Sequence, residues 1–133
     1  MGLIYLDSCL LIYLVERHPL WGDRLAEAFG YPAGRLFGIS PLVKCECLVG
    51  PIKRGDAVLR QLYAIEFERF VPLAMPEPIY LLAAELRAQF GIATPDALHL
   101  ACAQHHRCDE LWTNDDRLAR ISPGYVRNIL ADA

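Results

Sequence analysis

Residues 2–16 read GLIYLDSCLLIYLVE, and this stretch decides the fold. Its first part, GLIYL, is a short β-favouring apolar run that ends at Asp7 and Ser8, whereas residues 9–16 continue as a Leu-rich apolar run. A short apolar run that ends at polar residues predicts a strand, and the Leu-rich run behind it predicts a helix. The chain is therefore predicted to open with a β-α unit that leaves Asp7 at the carboxyl end of the strand.

Strands and helices are predicted to alternate along the rest of the chain, because apolar residues recur at helical spacing between short β-favouring runs. Further strands are predicted at 36–39, 70–73, 111–113 and 125–129, and further helices at 20–29, 41–49, 57–69, 79–90, 97–106 and 115–120, with a turn over 30–34. Ser40 and Thr94 each precede a proline, which predicts a capped helix start. In the helix 57–69, Val58, Leu62 and Ile65 are predicted to form the apolar face, with polar residues turned to water.

Length and composition fit one domain of common size, covering residues 1–133. Hydrophobic residues make up 54% of the chain and charged residues 22%, which is enough apolar material for a single core. Parallel strands need crossover connections, and those are usually helical. We therefore predict an α/β fold with a central parallel sheet of four to five short strands and helices on both faces.

Charge and the apolar runs limit the possible partners and locations. A net charge of −3 gives no general attraction to phosphate backbones, so any nucleic acid has to be held locally. The longest apolar run, residues 9–15, is far shorter than a membrane span, and residues 1–14 contain no Lys or Arg, unlike a secretory signal. Five cysteines without a Cys-x-x-Cys pair suit a reducing compartment. We expect a cytoplasmic protein without membrane association.

Four acidic residues are predicted to gather at one edge of the sheet. Asp7 ends the first strand and Asp115 lies just beyond the fourth, while Asp96 begins a helix and Glu46 lies on the helix 41–49. Helix capping would explain Asp96 and Asp115 one at a time, and solvation would explain Glu46. Converging carboxylates, however, repel one another and raise one another's pKa, and a hard divalent cation removes that conflict. The pattern favours a Mg²⁺ or Mn²⁺ site able to activate water for phosphodiester cleavage.

Four segments also carry motifs in a fixed order. They are YLDS at 5–8, ISPL and ECLVGP within 39–51, TPDALHLA at 94–101 and TNDDRL at 113–118. In order and spacing, from residue 3 to about 120, they resemble the motifs of PIN-domain ribonucleases, and most nearly those of VapC-type toxins. The resemblance implies a Mg²⁺- or Mn²⁺-dependent endoribonuclease that cuts RNA and is the toxin of a type II toxin–antitoxin pair. It also implies a cognate antitoxin whose C-terminal segment covers the active site, and we expect a homodimer.

The same resemblance implies roles for individual residues. Asp7 and Asp96 would be the principal metal ligands, Glu46 would hold a ligand water or a second ion, and Asp115 would complete the catalytic pocket. The residues expected to orient acids and waters are Ser8, Thr113 and Asn114. Asp116 remains an alternative to Asp115, because it could enter the pocket or simply begin the following helix.

Other interpretations of the same sequence are weaker. His99, Cys102, His105, His106 and Cys108 lie close together, but no tight Cys pair is present, so we assign them to the core or the solvent edge. A phosphoacceptor role for Asp7 is disfavoured, since the only lysines are at positions 44 and 53 and no second Asp follows two residues later. Cys9 stands where the family often has a small polar residue, and we expect it to pack as a small apolar group.

Contacts to RNA would come from cations next to the acidic motifs, namely Lys44, Lys53, Arg54, Arg117 and Arg120. Tyr13, Trp21 and Phe29 fall at helical core spacing, so the aromatic residues predict no stacking platform. A second functional class stays open: a PIN-like module that binds RNA or a protein without cutting.

Overall fold

The computed structural model describes residues 2–30 and 35–131, so most of the predicted turn at 30–34 lies outside the described residues. The strands are β1 (Gly2–Leu6), β2 (Arg35–Ile39), β3 (Val71–Pro72), β4 (Glu110–Thr113) and β5 (Val126–Asn128). They form one sheet in the order β3-β2-β1-β4-β5, and every neighbouring pair is parallel. The predicted parallel sheet is confirmed, with five strands.

Strand β1 is the centre of the sheet and of the core. It pairs with β2 on one side, where Leu3 lies opposite Leu36, and with β4 on the other, where Tyr5 lies opposite Leu111. The successive residues Ile4, Tyr5 and Leu6 are all buried. Because successive strand residues point to opposite faces, both faces of the sheet are covered, as the α/β prediction requires.

Within the described residues, seven helices connect the strands. They are α1 (Ser8–Val15), α2 (Gly22–Gly30), α3 (Pro41–Arg54), α4 (Ala57–Phe67), α5 (Glu77–Phe90), α6 (Thr94–His105) and α7 (Asp116–Ile121). Each corresponds to a predicted helix. In the described part of the chain, no helix is long and apolar enough to cross a membrane.

Helix α3 starts where predicted but ends later. The Ser40 hydroxyl accepts the N–H of Val43 at 3.3 Å, which caps the first turn. The helix was expected to stop near residue 49, before Pro51, yet it continues to Arg54 and ends at Gly55, whose φ of 65° is the left-handed conformation typical of a helix terminus. Pro51 is buried, and tertiary packing of its ring compensates for the backbone hydrogen bond that proline cannot donate.

The cap of helix α6 lies one position earlier than predicted. Thr94 is already helical, and no side chain caps the helix. The first backbone bond runs from the N–H of Ala97 to the carbonyl of Ala93, so Ala93 takes the cap position. Pro95 and Asp96 remain in the first turn, where proline costs no hydrogen bond and a carboxylate complements the helix dipole.

Helix α4 turns a different face to the core than the sequence predicted. The expected apolar face is open to solvent, with exposed fractions of 74% for Val58, 50% for Leu62 and 58% for Ile65. Instead, Leu59, Tyr63 and Phe67 pack inward, and the Tyr63 hydroxyl donates to Glu16 Oε2 at 2.6 Å. The helix has two apolar stripes, and the larger aromatic one is buried because it removes more apolar surface from water.

Substitutions on α4 test which of its two apolar stripes faces the core. We expect Tyr63→Ala to lower the free energy of unfolding by about 3–5 kcal/mol, the usual loss for a large buried aromatic residue. Leu62→Ala, one residue away, should change it by no more than about 0.5 kcal/mol. Urea unfolding followed by circular dichroism measures both. A larger loss for Leu62→Ala would mean that the predicted stripe faces the core after all.

Candidate active site

Asp7 lies at the carboxyl end of the central strand, where its carboxylate is held on both sides. Its N–H extends the strand pairing to the Trp112 carbonyl at 3.0 Å. Oδ1 accepts the N–H of Ser8 at 2.7 Å, so Asp7 caps α1, and Oδ2 accepts the Thr113 hydroxyl at 2.7 Å. The residue is only 8% exposed. These two donors fix a nearly buried carboxylate in one orientation.

Glu46 approaches Asp7 from α3, and His99 approaches from α6. His99 Nε2 lies 2.6 Å from Glu46 Oε1 and 3.5 Å from Asp7 Oδ1. Asp7, Glu46 and His99 each offer one ligand atom, and these atoms all lie within 4.8 Å of one another. The structure thus brings together two of the predicted acids and His99, which the sequence assigned to the core or the solvent edge.

A signal for His99 was present in the sequence. His99 follows Asp96 by three positions, and residues three apart lie on the same face of a helix. A helix that presents Asp96 to the site therefore presents His99 to it as well. The nearby cysteines and histidines obscure this relation, because their spacing resembles that of a separate zinc site.

Asp115 is linked to Asp7 through Thr113. Its N–H donates to Thr113 Oγ1 at 3.1 Å, and the same hydroxyl donates to Asp7. Asp115 Oδ1 caps α7 by accepting the N–H groups of Arg117 at 2.8 Å and Leu118 at 3.4 Å. The helix-cap interpretation is therefore correct for one carboxylate oxygen, while the position of Asp115 still brings its charge to the site.

Asp116 and Asn114 make contacts away from the other acids. Asp116 is exposed, and its Oδ1 accepts the side-chain N–H of Asn128 at 2.8 Å. Asn114 Nδ2 donates to the Tyr13 hydroxyl at 3.3 Å. Of the two candidate acids, Asp115 is the one connected to Asp7. Tyr13 packs against the core, as its helical core spacing predicts, and contacts Trp21 with ring centres 5.2 Å apart. It also lines the cavity beside these residues.

Two cavities meet at this edge of the sheet. One, of about 380 Å³, is lined by Asp7, Cys9, Tyr13, Asn114, Asp115, Asp116 and Arg117. The other, of about 500 Å³, includes Asp96, Arg117 and Arg120 in its wall. Arg117 borders both. Among the cations considered from sequence, Arg117 and Arg120 lie beside the acids, whereas Lys44 packs over the Phe67 ring and Arg54 pairs with Glu16.

The like-charge conflict expected from sequence appears at Asp96. Burial raises the pKa of Asp96, and the charges of Asp115 and Asp7 raise it further, against the opposing effects of His99 and Arg117. Asp96 is therefore close enough to both acids to be repelled by them. Burial, followed by the charge of Asp7, raises the pKa of Cys9 to about 12, so this thiol stays protonated at neutral pH and is a packing group.

Glu46 and His99 favour each other's charged forms. Burial by itself would raise the pKa of Glu46, but the hydrogen bond and charge of His99 outweigh it and lower that pKa. Burial would lower the pKa of His99, but Glu46, Asp7 and Asp96 outweigh it and raise that pKa. A carboxylate that stays ionised is what a metal ion requires.

The other cysteines and histidines of α6 and its surroundings do not join this cluster. Cys102 and Cys108 are buried in the core, His105 is exposed, and His106 Nε2 lies 2.6 Å from the Ala74 carbonyl. Within residues 2–30 and 35–131, the group formed by Asp7, Glu46 and His99 is the one that brings three ligand atoms together.

Comparisons with known proteins agree with this fold. A chain in a toxin-antitoxin complex from Klebsiella pneumoniae is 27% identical, with a TM-score of 0.74 and 96% of each chain covered. VapBC2 from Rickettsia felis, bound to a DNA fragment from its promoter, contains a chain that is 18% identical, with a TM-score of 0.75 over 93% of this chain and 96% of that chain. Mycobacterium tuberculosis VapC20, described as a sarcin-ricin loop cleaving toxin, is 12% identical, with a TM-score of 0.75 over 90% of this chain and 95% of that chain. The last two similarities show the fold alone.

A comparison with curated protein sequences finds no match. The family model described as PIN domain matches residues 4–122, which is most of the chain. On that match, this protein belongs to the PIN domain family.

Proposed function

We propose that this protein is a VapC-type endoribonuclease, the toxin of a type II toxin–antitoxin pair. The observation that carries the proposal is the approach of Asp7, Glu46, Asp96 and Asp115, from four separate elements, to one edge of a parallel sheet. PIN family membership supports a nuclease, and the 27% identical chain in a toxin-antitoxin complex supports a toxin. RNA is the substrate that the sequence motifs imply.

The site suits a hard divalent cation, Mg²⁺ or Mn²⁺. Asp7 and Asp96 would be its principal ligands, Glu46 would hold a ligand water or a second ion, and Asp115 would complete the pocket. Carboxylate oxygens are the donors these ions prefer. Burial, followed by the charges of Asp115 and Asp7, raises the pKa of Asp96, and a cation would relieve the part that comes from repulsion. When bound, the ion would lower the pKa of a water and neutralise charge on the scissile phosphate.

The protein's own side chains orient the acids and attract the substrate. The Ser8 N–H and the Thr113 hydroxyl hold the Asp7 carboxylate, and Thr113 also holds the backbone of Asp115. Arg117 and Arg120 would attract phosphate, since they border the acid-lined cavities in a chain with a net charge of −3. The proposed chemistry therefore depends on local charge and not on the net charge of the chain.

We further propose that the antitoxin covers the active site with its C-terminal segment, as the resemblance implies, and also contacts exposed apolar side chains of α3 and α4, two helices that pack against each other. This α3–α4 face consists of Val49, Ile52, Val58, Leu62 and Ile65, each at least half exposed. Apolar surface of this kind typically marks a protein-binding site.

We also propose that residues 1–133 form one domain, that the protein is a homodimer and that it acts in the cytoplasm.

Loss of either principal ligand should abolish cleavage. We expect Asp7→Asn and Asp96→Asn each to lower Mg²⁺- or Mn²⁺-dependent RNA cleavage by more than about 100-fold, since even changes to groups that only support metal ligands cost about 10–100-fold. Cleavage of labelled RNA, with a chelator as blank, measures the loss. Asp23→Asn, an exposed acid at the start of α2, is the matched control.

Full activity in Asp7→Asn or Asp96→Asn would remove these residues from the site. No cleavage by the wild-type protein, together with intact RNA binding, would favour a PIN-like module that binds without cutting.

Stability should depend on Asp96 in opposite ways with and without metal. The folded-state pKa of Asp96 lies above its ordinary value of 3.8, so its ionisation above that pH opposes folding of the metal-free protein. We therefore expect Asp96→Asn to raise the thermal midpoint at pH 7, and the gain to vanish as the pH falls below 3.8. Saturating Mg²⁺ or Mn²⁺ should stabilise the wild type more than the variant. Thermal unfolding at both pH values measures this, and a variant less stable than wild type in chelator would contradict it.

Antitoxin binding should depend on the α3–α4 face. We expect Leu62→Glu to weaken binding of the product of the neighbouring small open reading frame, because it places a charge in an apolar contact. RNA cleavage should stay unchanged, because Leu62 lines neither cavity at the acids. Titration calorimetry with the purified partner measures the affinity. Arg60→Glu, at an exposed polar position of the same helix, is the control. Equal affinity for Leu62→Glu and wild type would place the antitoxin elsewhere, and a change in mass by light scattering would assign this face to the homodimer.

A further inference from the structure

A chain of buried polar side chains runs from the start of α3 through the central strand to the site. Ser40 Oγ lies 2.7 Å from the Tyr5 hydroxyl, which lies 2.6 Å from His99 Nδ1. His99 Nε2 in turn lies 2.6 Å from Glu46 Oε1. Ser40, Tyr5 and His99 are almost completely buried. Buried polar side chains surrounded by the apolar core have to satisfy one another's hydrogen bonds.

All the hydrogen bonds among Ser40, Tyr5 and His99 can form when each hydroxyl donates toward His99. The Val43 N–H donates to Ser40 Oγ, so the Ser40 hydroxyl can donate to Tyr5, and the Tyr5 hydroxyl can donate to His99 Nδ1. His99 Nε2 then carries a proton and donates it to Glu46. Every group has a partner in this arrangement when the ring is neutral, and the bond at Nδ1 then sets its tautomer. A ring protonated on both nitrogens keeps the same Nε2–H donor to Glu46.

A metal-ligating His99 would break this pattern. To bind an ion through Nε2, the ring would carry its proton on Nδ1 and donate it to Tyr5. Tyr5 would then donate to Ser40 Oγ, and the buried Ser40 hydroxyl proton would have no acceptor among the hydrogen bonds of the described residues. Leaving the buried Ser40 hydroxyl proton unpaired is unfavourable. The hydrogen bonds among Ser40, Tyr5 and His99 therefore oppose metal ligation by His99, even though its Nε2 is close to both carboxylates.

We infer that His99 is a positioning residue, which holds the Glu46 carboxylate through its Nε2–H and does not ligate the ion. This inference rests on the proposed metal-dependent function and specifies how Glu46 is oriented within it. Glu46 lies on α3 and is partly exposed, so without His99 its side chain would be free to adopt other rotamers. Tyr5 and Ser40 fix the ring of His99, and the ring fixes Glu46.

The protonation pattern of His99 tests the inference directly. The chain has four histidines, so ¹⁵N-histidine labelling gives few imidazole signals, and His99→Gln assigns those of His99. We expect Nε2 of His99 to carry a proton in the metal-free protein and to keep it in saturating Mg²⁺. A metal-loaded spectrum in which Nε2 has lost its proton would overturn the inference.

Matched variants test the consequence for metal binding. His99→Leu removes the donor, His99→Gln retains a donor, and Tyr5→Phe removes the hydroxyl that fixes the ring. We expect His99→Leu to weaken Mn²⁺ binding, measured by electron paramagnetic resonance, about 10–100-fold. His99→Gln should recover most of this loss, and Tyr5→Phe should lie between them. His105→Gln, exposed on the same helix, should bind like wild type.

The outcomes separate the inference from the proposed function. Equal losses for His99→Gln and His99→Leu would indicate a ligand, and no loss for His99→Leu would indicate no role; either result overturns the inference. If His99→Leu does not fold, the spectra of the wild-type protein and Tyr5→Phe decide. A wild-type protein that binds Mn²⁺ with the expected spectrum but cuts no RNA would reject the proposed function and leave the positioning role in place. Absence of Mn²⁺ binding by the wild type would reject both.

Discussion

Everything at the site depends on one carboxylate being held at the end of a buried strand. Removing Asp7 from water costs free energy unless its oxygens find donors, and the structure supplies the Ser8 N–H and the Thr113 hydroxyl. The first donor comes from the helix that follows β1, and the second comes from the strand beside it. The carboxylate therefore fastens α1 and β4 to the centre of the sheet while keeping its charge at the edge.

The topology explains why distant acids reach this point. From β1 the chain moves to β2 and β3 on one side and later returns to β4 and β5 on the other, so the connections diverge at the carboxyl end of β1. In open parallel sheets this divergence leaves a crevice, and ligands bind there. Helix α3 follows β2, and α7 follows β4. Glu46 and Asp115 thus flank the crevice because of the strand order, although 69 positions separate them along the chain.

The sequence predicted the features that depend on residues close to one another along the chain. Asp7 at a strand end, the Ser40 cap and the end of α5 at Phe90 all follow from residues close in sequence. The predictions that were wrong concern features that tertiary packing decides. Helix α4 carries two apolar stripes, and only the neighbouring helices decide that Tyr63 is buried and Leu62 is exposed. Helix α3 passes through Pro51 for the same reason. The spacing of three positions from Asp96 places His99 on the same helix face, but its bonds to Tyr5 and Glu46, which lie 94 and 53 positions away, follow only from tertiary packing.

The core and the site are one hydrogen-bonded unit. Ser40 caps α3, Tyr5 lies in the central strand and His99 lies on α6. The hydrogen bonds among them therefore fix the relative positions of the three elements that carry or precede the acids of the site. An apolar core would hold the same elements together but would leave their rotation less defined, because dispersion contacts have little direction. The geometry of Glu46 is therefore set from inside the fold, and substitutions at Ser40 or Tyr5 act on the site although neither side chain borders a described cavity at the acids.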